Sequence, residues 1–210
     1  MRIFILANKD QYNEIQTINA DNDNELIFNL ELPKMEEYNK YEAFFILSES
    51  WRLLDFSQFE DKPVFINSVI ETLSDLKMPL NVNRLNAWPG FLQREIWEIV
   101  SSNQKDFGKI FKGLNRKIIV VKDEPGLVAA RVISMIVNEA FFALGEEVSS
   151  KTEIDMAMKL GTNYPFGPFE WAEKIGLENI YHLLKKLSEK DDRYLPAPAL
   201  EKIFSSNKTI

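Results

Sequence analysis

Asp123-Glu-Pro-Gly-Leu-Val-Ala-Ala-Arg131 and Leu160-Gly-Thr-Asn-Tyr-Pro-Phe-Gly-Pro-Phe-Glu-Trp-Ala-Glu-Lys-Ile-Gly-Leu177 flank a long apolar run, and together they decide the fold. Pro125 reads as the first turn of a helix from Pro125 to Gly145. Its missing N–H costs nothing there, and Asp123 and Glu124 sit at the helix's positive end. Val132, Ile133, Ile136, Val137, Phe141 and Leu144 point in nearly every direction around that helix. A helix apolar on all sides has to be covered on most of them, either by the rest of the chain or by a second copy. The Pro165-Phe-Gly-Pro-Phe169 turn fixes a corner between helices, and its aromatic rings fill core. No strand pattern appears from 125 to 205, so the reading is an all-α domain over residues 123–210.

Upstream of the Lys122–Pro125 corner the pattern changes. Arg2–Ala7, Glu25–Leu30, Tyr41–Leu47, Pro63–Asn67, Asn81–Trp88 and Lys117–Val121 read as strands, and Phe107–Leu114 reads as a helix. Tyr41–Leu47 and Pro63–Asn67 are near-continuous apolar runs, as expected of strands buried on both faces. Strands alternating with short helical segments imply a parallel α/β sheet over residues 1–122. The expected fold class is therefore α/β followed by all-α.

Composition narrows the functional classes. The 210 residues are 45% hydrophobic and 27% charged, as in ordinary soluble domains, and the net charge of −7 speaks against a nucleic-acid partner. There is no cysteine, hence neither a disulfide framework nor thiolate chemistry, and His182 is the only histidine. A transition-metal site is not expected from a donor set so dominated by carboxylates. No apolar run approaches the ~18 residues of a membrane span, and Met1-Arg-Ile-Phe-Ile-Leu-Ala7 reads as a strand rather than a leader. The expectation is a cytoplasmic protein with neither membrane nor nucleic acid as partner.

The two quoted strings, about 30 residues apart, resemble the C-terminal helical domain of the 3-hydroxyacyl-CoA dehydrogenases. That family reads D-x-P-G-F-x-x-N-R before the helix and G-x-x-x-P-x-G-P-F/L-x-x-x-D-x-x-G-L after it. Asp192-Arg-Tyr-Leu-Pro-Ala-Pro-Ala-Leu-Glu-Lys202 resembles the family's R-Y-x-P-x-P-x-L. The resemblance implies a Rossmann-like NAD-binding domain, oxidation of the 3-hydroxyl of an acyl-CoA in fatty-acid metabolism, and a homodimer formed through the helical domain.

The first 122 residues depart from that family where the chemistry lies. Dinucleotide folds place glycines just after strand one, so that the backbone can approach the pyrophosphate. Here the turn is Ala7-Asn-Lys-Asp-Gln-Tyr-Asn13, Asp10 and Glu14 add negative charge, and the first glycine of the chain is Gly90. The family's catalytic His lies in G-x-H-F-F-N-P, twelve positions before the Glu of L-V-E-V. Glu98 matches that Glu, and Asn86 stands where the His would be. An amide cannot accept the hydroxyl proton, and general base catalysis is worth ~10²–10⁴-fold. The Asn that polarises the substrate carbonyl in D-x-P-G-F-x-x-N-R is Ala130, and the S-N-T-S-S segment is reduced to Asn67 and Ser68 in Ile66–Ile70. The α/β part is also shorter than the family's and lacks the helical hairpin that grips CoA.

The expectation is a truncated Rossmann-like domain followed by a five-helix domain, with no cofactor where the family uses NAD. Glu98 is the vestige of the catalytic pair, and Asn67 and Ser68 are the candidate substrate contacts. Trp88 and Trp97 are expected to pack in the core, with stacking on an adenine or lining an acyl groove as the alternative. Three functions compete. The first is a degenerate dehydrogenase acting as scaffold or weak acyl-CoA binder. The second is a working 3-hydroxybutyryl-CoA dehydrogenase with an atypical NAD site. The third is an interaction protein that partners a true dehydrogenase subunit.

Overall fold

The computed structural model describes residues 1–16, 25–103 and 105–206. The chain forms two compact units, Met1–Leu127 and a second beginning at Val128.

The first unit is a seven-stranded sheet: β1 (Arg2–Leu6), β2 (Glu25–Asn29), β3 (Ala43–Ile46), β4 (Val64–Asn67), β5 (Val82–Leu85), β6 (Ile96–Ser101) and β7 (Lys117–Val120). Helix α1 (Lys9–Gln16) follows β1, and α2 (Gly108–Gly113) joins β6 to β7. The strand order is β2-β1-β3-β4-β5-β6-β7. β1 to β5 run parallel, as the apolar runs implied. β6 is a strand the sequence reading did not anticipate. It runs antiparallel to β5, and β7 is parallel to β6, so the sheet is parallel only over its first five strands.

β3 and β4 are buried at every position, β1 at all but its first. Alternation of side chains divides the aromatic residues between the two faces. On one face Phe45 stacks on Phe65 at 4.6 Å, and Phe111 of α2 meets both rings edge-on. On the other, Phe44 meets Phe59 at 4.9 Å, and Tyr38 stacks on Phe59 at 5.0 Å. Short 3-10 turns at Met35–Lys40 and Phe56–Phe59 carry Tyr38 and Phe59, and a third at Glu49–Leu53 buries Trp51.

The second unit contains five helices among the described residues: α3 (Ala129–Gly145), α4 (Lys151–Thr162), α5 (Pro168–Ile175), α6 (Leu177–Ser188) and α7 (Pro198–Ser206). α3 begins four residues later than the sequence implied. Pro125 lies outside it, in a turn where Gly126 has φ 82° and Leu127 φ 47°. Asp123 does not face a helix N-terminus; its carboxylate accepts the N–H groups of Leu73 and Ser74, both at 3.1 Å. One face of α3 is buried through Ile133, Val137, Ala140 and Phe141, whereas Val132 stays 48% exposed and Ile136 and Phe142 are half-buried.

The corner between α4 and α5 explains its glycine. Asp155 of α4 caps α5 by accepting the N–H groups of Phe169 (2.7 Å) and Glu170 (3.2 Å). A Cβ at Gly167 would stand 2.4 Å from the Asp155 side chain, so only glycine admits that cap. Ser150 and Glu153 form a reciprocal capping box at the start of α4. Asn138 of α3, 1% exposed, donates to Leu195 O and accepts from Ala197 N, fixing the proline-flanked segment before α7.

Candidate functional site

In open α/β sheets, ligands bind outside the carboxyl ends of the strands, where the strand order reverses. Here that point lies between β1 and β3, beside the start of α1. A G-x-G-x-x-G spacing from the end of β1 would need glycines at 7, 9 and 12; the chain has Ala7, Lys9 and Tyr12. The Tyr12 ring meets Phe28 of β2 edge-on at 4.7 Å, filling a helix–strand contact that glycine would leave open. Asn8 caps α1, its Oδ1 accepting the N–H of Gln11 at 2.9 Å while Gln11 Oε1 accepts the N–H of Asn8.

Gln11, 7% exposed, reaches across the strand ends. Its Nε2 donates to Leu47 O (2.8 Å), just after β3, and to Ala87 O (3.3 Å), just after β5. One turn further on, the Glu14 carboxylate accepts the N–H groups of Gly90 and Leu92. Beside this lies an open cleft of about 410 Å³ lined by Lys9, Tyr12, Phe28, Asn29 and Leu30. Dinucleotide folds carry an acidic residue near this place to bind the ribose 2′-hydroxyl. Asn29 stands at the end of β2, with Oδ1 already accepting the N–H of Leu30 at 2.8 Å. These residues do not fit a dinucleotide: side chains hold the space and the donors that a pyrophosphate would use.

The sequence-predicted residues cluster at the ends of β4, β5 and β6. Asn67 is 8% exposed, and its Oδ1 accepts the N–H of Ala87 at 3.0 Å. Ser68 is 2% exposed, and its hydroxyl donates to Glu71 O at 2.8 Å. Both side chains are thus committed to turns of their own chain. Glu98 lies on β6, half-buried; its charge opposes the burial that lowers the Arg94 guanidinium from its ordinary value. The β5–β6 register pairs Arg84 with Val100 and Leu85 with Ile99, so one step further Asn86 comes opposite Glu98. The register therefore brings together the two positions that the twelve-residue spacing singled out. Asn86 is 7% exposed; its Oδ1 accepts the N–H of Trp88 at 3.1 Å, and its buried Nδ2 has no hydrogen-bond partner.

Arg84 was missed by the sequence reading. It occupies the glycine position of G-x-H and is wholly buried. Its Nε lies 2.7 Å from the Asp123 carboxylate, and its other nitrogens donate to Ser68 O, Val69 O and Glu124 O. Burial lowers the guanidinium from its ordinary value, and the Asp123 charge opposes that shift. A charged residue between Val82 and Leu85 in a buried strand was the available signal.

Trp88 and Trp97 are 6% and 4% exposed; Trp97 packs in the core against Phe45 and Phe111, with Nε1 donating to Leu92 O. His182 is on α6, 55% exposed and 3.5 Å from Glu178, a surface histidine. Ala130 is wholly buried on α3. Among the described residues no cluster of His, Cys, Asp and Glu could hold a metal, and no helix is long and apolar enough to cross a membrane.

Residues 126–209 match the family described as 3-hydroxyacyl-CoA dehydrogenase, C-terminal domain. The 3-hydroxyadipyl-CoA dehydrogenase of Escherichia coli K12 is 39% identical over 87 residues, 40% of this chain and 18% of that protein. The 3-hydroxybutyryl-CoA dehydrogenase of Clostridioides difficile is 30% identical over 175 residues, 78% of this chain and 62% of its own length. The chain thus spans less than two thirds of either relative. The (S)-3-hydroxybutyryl-CoA dehydrogenase of Ralstonia eutropha shares the fold, with TM-score 0.71 at 21% identity over 87% of this chain and 70% of that one. The helical unit thus belongs to the 3-hydroxyacyl-CoA dehydrogenase C-terminal domain family, and the chain shares the fold of the solved 3-hydroxybutyryl-CoA dehydrogenase.

Proposed function

We propose that this chain is a 3-hydroxyacyl-CoA dehydrogenase-like protein in which NAD-dependent oxidation of a 3-hydroxyacyl-CoA is lost or nearly lost. It serves as a scaffold or as a weak binder of an acyl-CoA-like ligand, and it needs no cofactor. One observation carries the reading. The position opposite Glu98 is held by Asn86, whose amide cannot take the hydroxyl proton as hydride leaves. The turn after β1 acts on the same step from the cofactor's side. Asn86→His alone is therefore expected to stay inactive. The test is titration of the purified protein with NADH and with acetoacetyl-CoA, followed by tryptophan fluorescence, alongside an oxidation assay. Micromolar NADH affinity with turnover near ~10 s⁻¹, the median for enzymes, would sink the proposal. The alternative, a working 3-hydroxybutyryl-CoA dehydrogenase, would then hold, with Glu98, Asn67 and Ser68 the first residues to mutate. That alternative is favoured by the similarity over 78% of the chain to the Clostridioides difficile 3-hydroxybutyryl-CoA dehydrogenase.

A homodimer through the helical unit and a cytoplasmic location belong to the same reading. The exposed Val132 and half-buried Ile136 and Phe142 of α3 support the dimer. Sedimentation of the unmodified protein as a stable monomer would exclude it.

A further inference from the structure

We propose that α1 is the permanent occupant of the crevice at the carboxyl ends of the strands: Gln11 and Glu14 satisfy the backbone groups there, so the first unit is closed in a ligand-free state and no dinucleotide can enter. This rests on the reading of the chain as a non-oxidising family member and gives it a physical cause.

A crevice that receives ligands presents backbone N–H groups and carbonyls to water until the ligand arrives. Here those groups are already engaged. The Gln11 amide bridges the carbonyls of Leu47 and Ala87, which belong to segments 36 and 76 positions away in sequence. The Glu14 carboxylate supplies the negative charge, accepting two N–H groups from the loop after β5. A carboxylate between two backbone N–H groups makes the kind of contact a phosphate oxygen makes in an anion-binding loop. An incoming pyrophosphate would have to displace that carboxylate or sit beside it. Asn8 locks the arrangement from the other side, because its exchange of hydrogen bonds with Gln11 fixes the first turn of α1. Tyr12, wedged against Phe28, closes the gap between α1 and β2, so the cleft beside it opens outward and does not lead to the N–H groups that Glu14 holds.

The loop Ala87–Leu92 is anchored by the buried Trp88, Phe91 and Leu92, and the hydrogen bonds from α1 fix its backbone over those anchors. Glu14 and Gln11 hold it down from above.

The test combines thermal melting, amide hydrogen exchange and NADH titration on the full chain and on Gln11→Ala, Glu14→Gln and Glu14→Ala. In the unmodified protein the N–H groups of Gly90 and Leu92 are expected to exchange slowly without any ligand, and millimolar NADH is expected to move neither the melting temperature nor the tryptophan fluorescence. Gln11→Ala and Glu14→Ala are expected to lower the melting temperature by about 5–10 °C, the first losing the bonds to Leu47, Ala87 and Asn8 and the second the part-buried bonds from Gly90 and Leu92. Exchange at Gly90 and Leu92 is expected to accelerate at least ~10-fold in Glu14→Ala, with Glu14→Gln falling between, since it keeps one acceptor. Should a variant fail to fold, exchange at Gly90 and Leu92 in the unmodified protein still decides. Rapid exchange there, or variants that melt and exchange like the parent, would overturn the occlusion while leaving the loss of oxidation standing. NADH binding without turnover would overturn the occlusion alone; NADH binding with turnover would overturn both.

Discussion

Replacing Asp123 with Asn tests the account of the first unit most sharply. The substitution keeps the shape of the side chain and removes one charge. That charge faces Arg84 Nε at 2.7 Å, and Arg84 is wholly buried. Removing one partner of a buried ion pair typically costs ~3–5 kcal/mol, because the other charge is left without compensation. Asp123 is 28% exposed, so water recovers part of the loss. The N–H groups of Leu73 and Ser74 also compete for the one oxygen that Asn retains. We therefore expect a loss of about 3 kcal/mol, a drop of roughly 10 °C in the melting temperature of this unit. Urea titration followed by the fluorescence of Trp51, Trp88 and Trp97 reads it, because all three are buried in the first unit. Arg84→Met strips donors from the carbonyls of Ser68, Val69 and Glu124 and is expected to cost as much. The double variant should then lose at least ~1 kcal/mol less than the sum of the singles. A loss below ~1 kcal/mol in Asp123→Asn, or full additivity, would refute the idea that this pair ties β5 to the segment before α3.

Gly167→Ala is expected to cost about 2 kcal/mol by overpacking, since its Cβ meets Asp155 at 2.4 Å. Gly161→Ala meets nothing within 4 Å and should be neutral or stabilising by ~0.5 kcal/mol; equal melting of the two variants would contradict the cap at α5. The Ser149 and Ser150 hydroxyls hold the Glu153 carboxyl at about 2, below its ordinary value of 4.5. A lowered pKa contributes stability that is complete above pH ~4.5 and is lost as pH falls towards 2. Acid melts of Glu153→Gln should therefore show a flatter dependence in that window, and an unchanged profile would remove the capping box as its source.

The sequence carried the sheet wherever burial was two-sided. Tyr41–Leu47 and Pro63–Asn67 are apolar but for Glu42 and the terminal Asn67, and their uninterrupted cores became β3 and β4. β6 was hidden because Arg94 and Glu95 directly precede it and Glu98 interrupts its apolar residues, so that Glu98 reads as chemistry rather than as a strand position. The start of α3 was misplaced for a related reason. A proline preceded by two acidic residues fits the first turn of a helix, but Asp123 is claimed by Arg84, which lies 39 positions earlier. Local preference gave way to a contact that no window around Pro125 contains. At the site, the absence of glycines before Gly90 and the Asn86–Glu98 spacing were legible, because both are counted along the chain. Glu14 was legible only as a charge that repels phosphate. That its carboxylate is bound to N–H groups 76 and 78 positions downstream could not be read, since it depends on how the loop after β5 folds over α1.

α4 buries none of its side chains, and Met156 and Leu160 are 54% and 82% exposed. A twelve-residue helix with so little cover has few contacts to lose on opening. Its hold on the chain runs through α5, by the Asp155 cap and the Lys159–Glu170 pair. Opening α4 therefore strips α5 of the Asp155 acceptor at its N-terminus, while α5 itself stays held through its buried Trp171, Ala172 and Ile175, so α4 opens as a local segment. A protease acting on the native protein should then cut first in the exposed stretch Gly145–Val148 or at Gly161–Tyr164, and the fragment it releases marks where this unit is least firmly held.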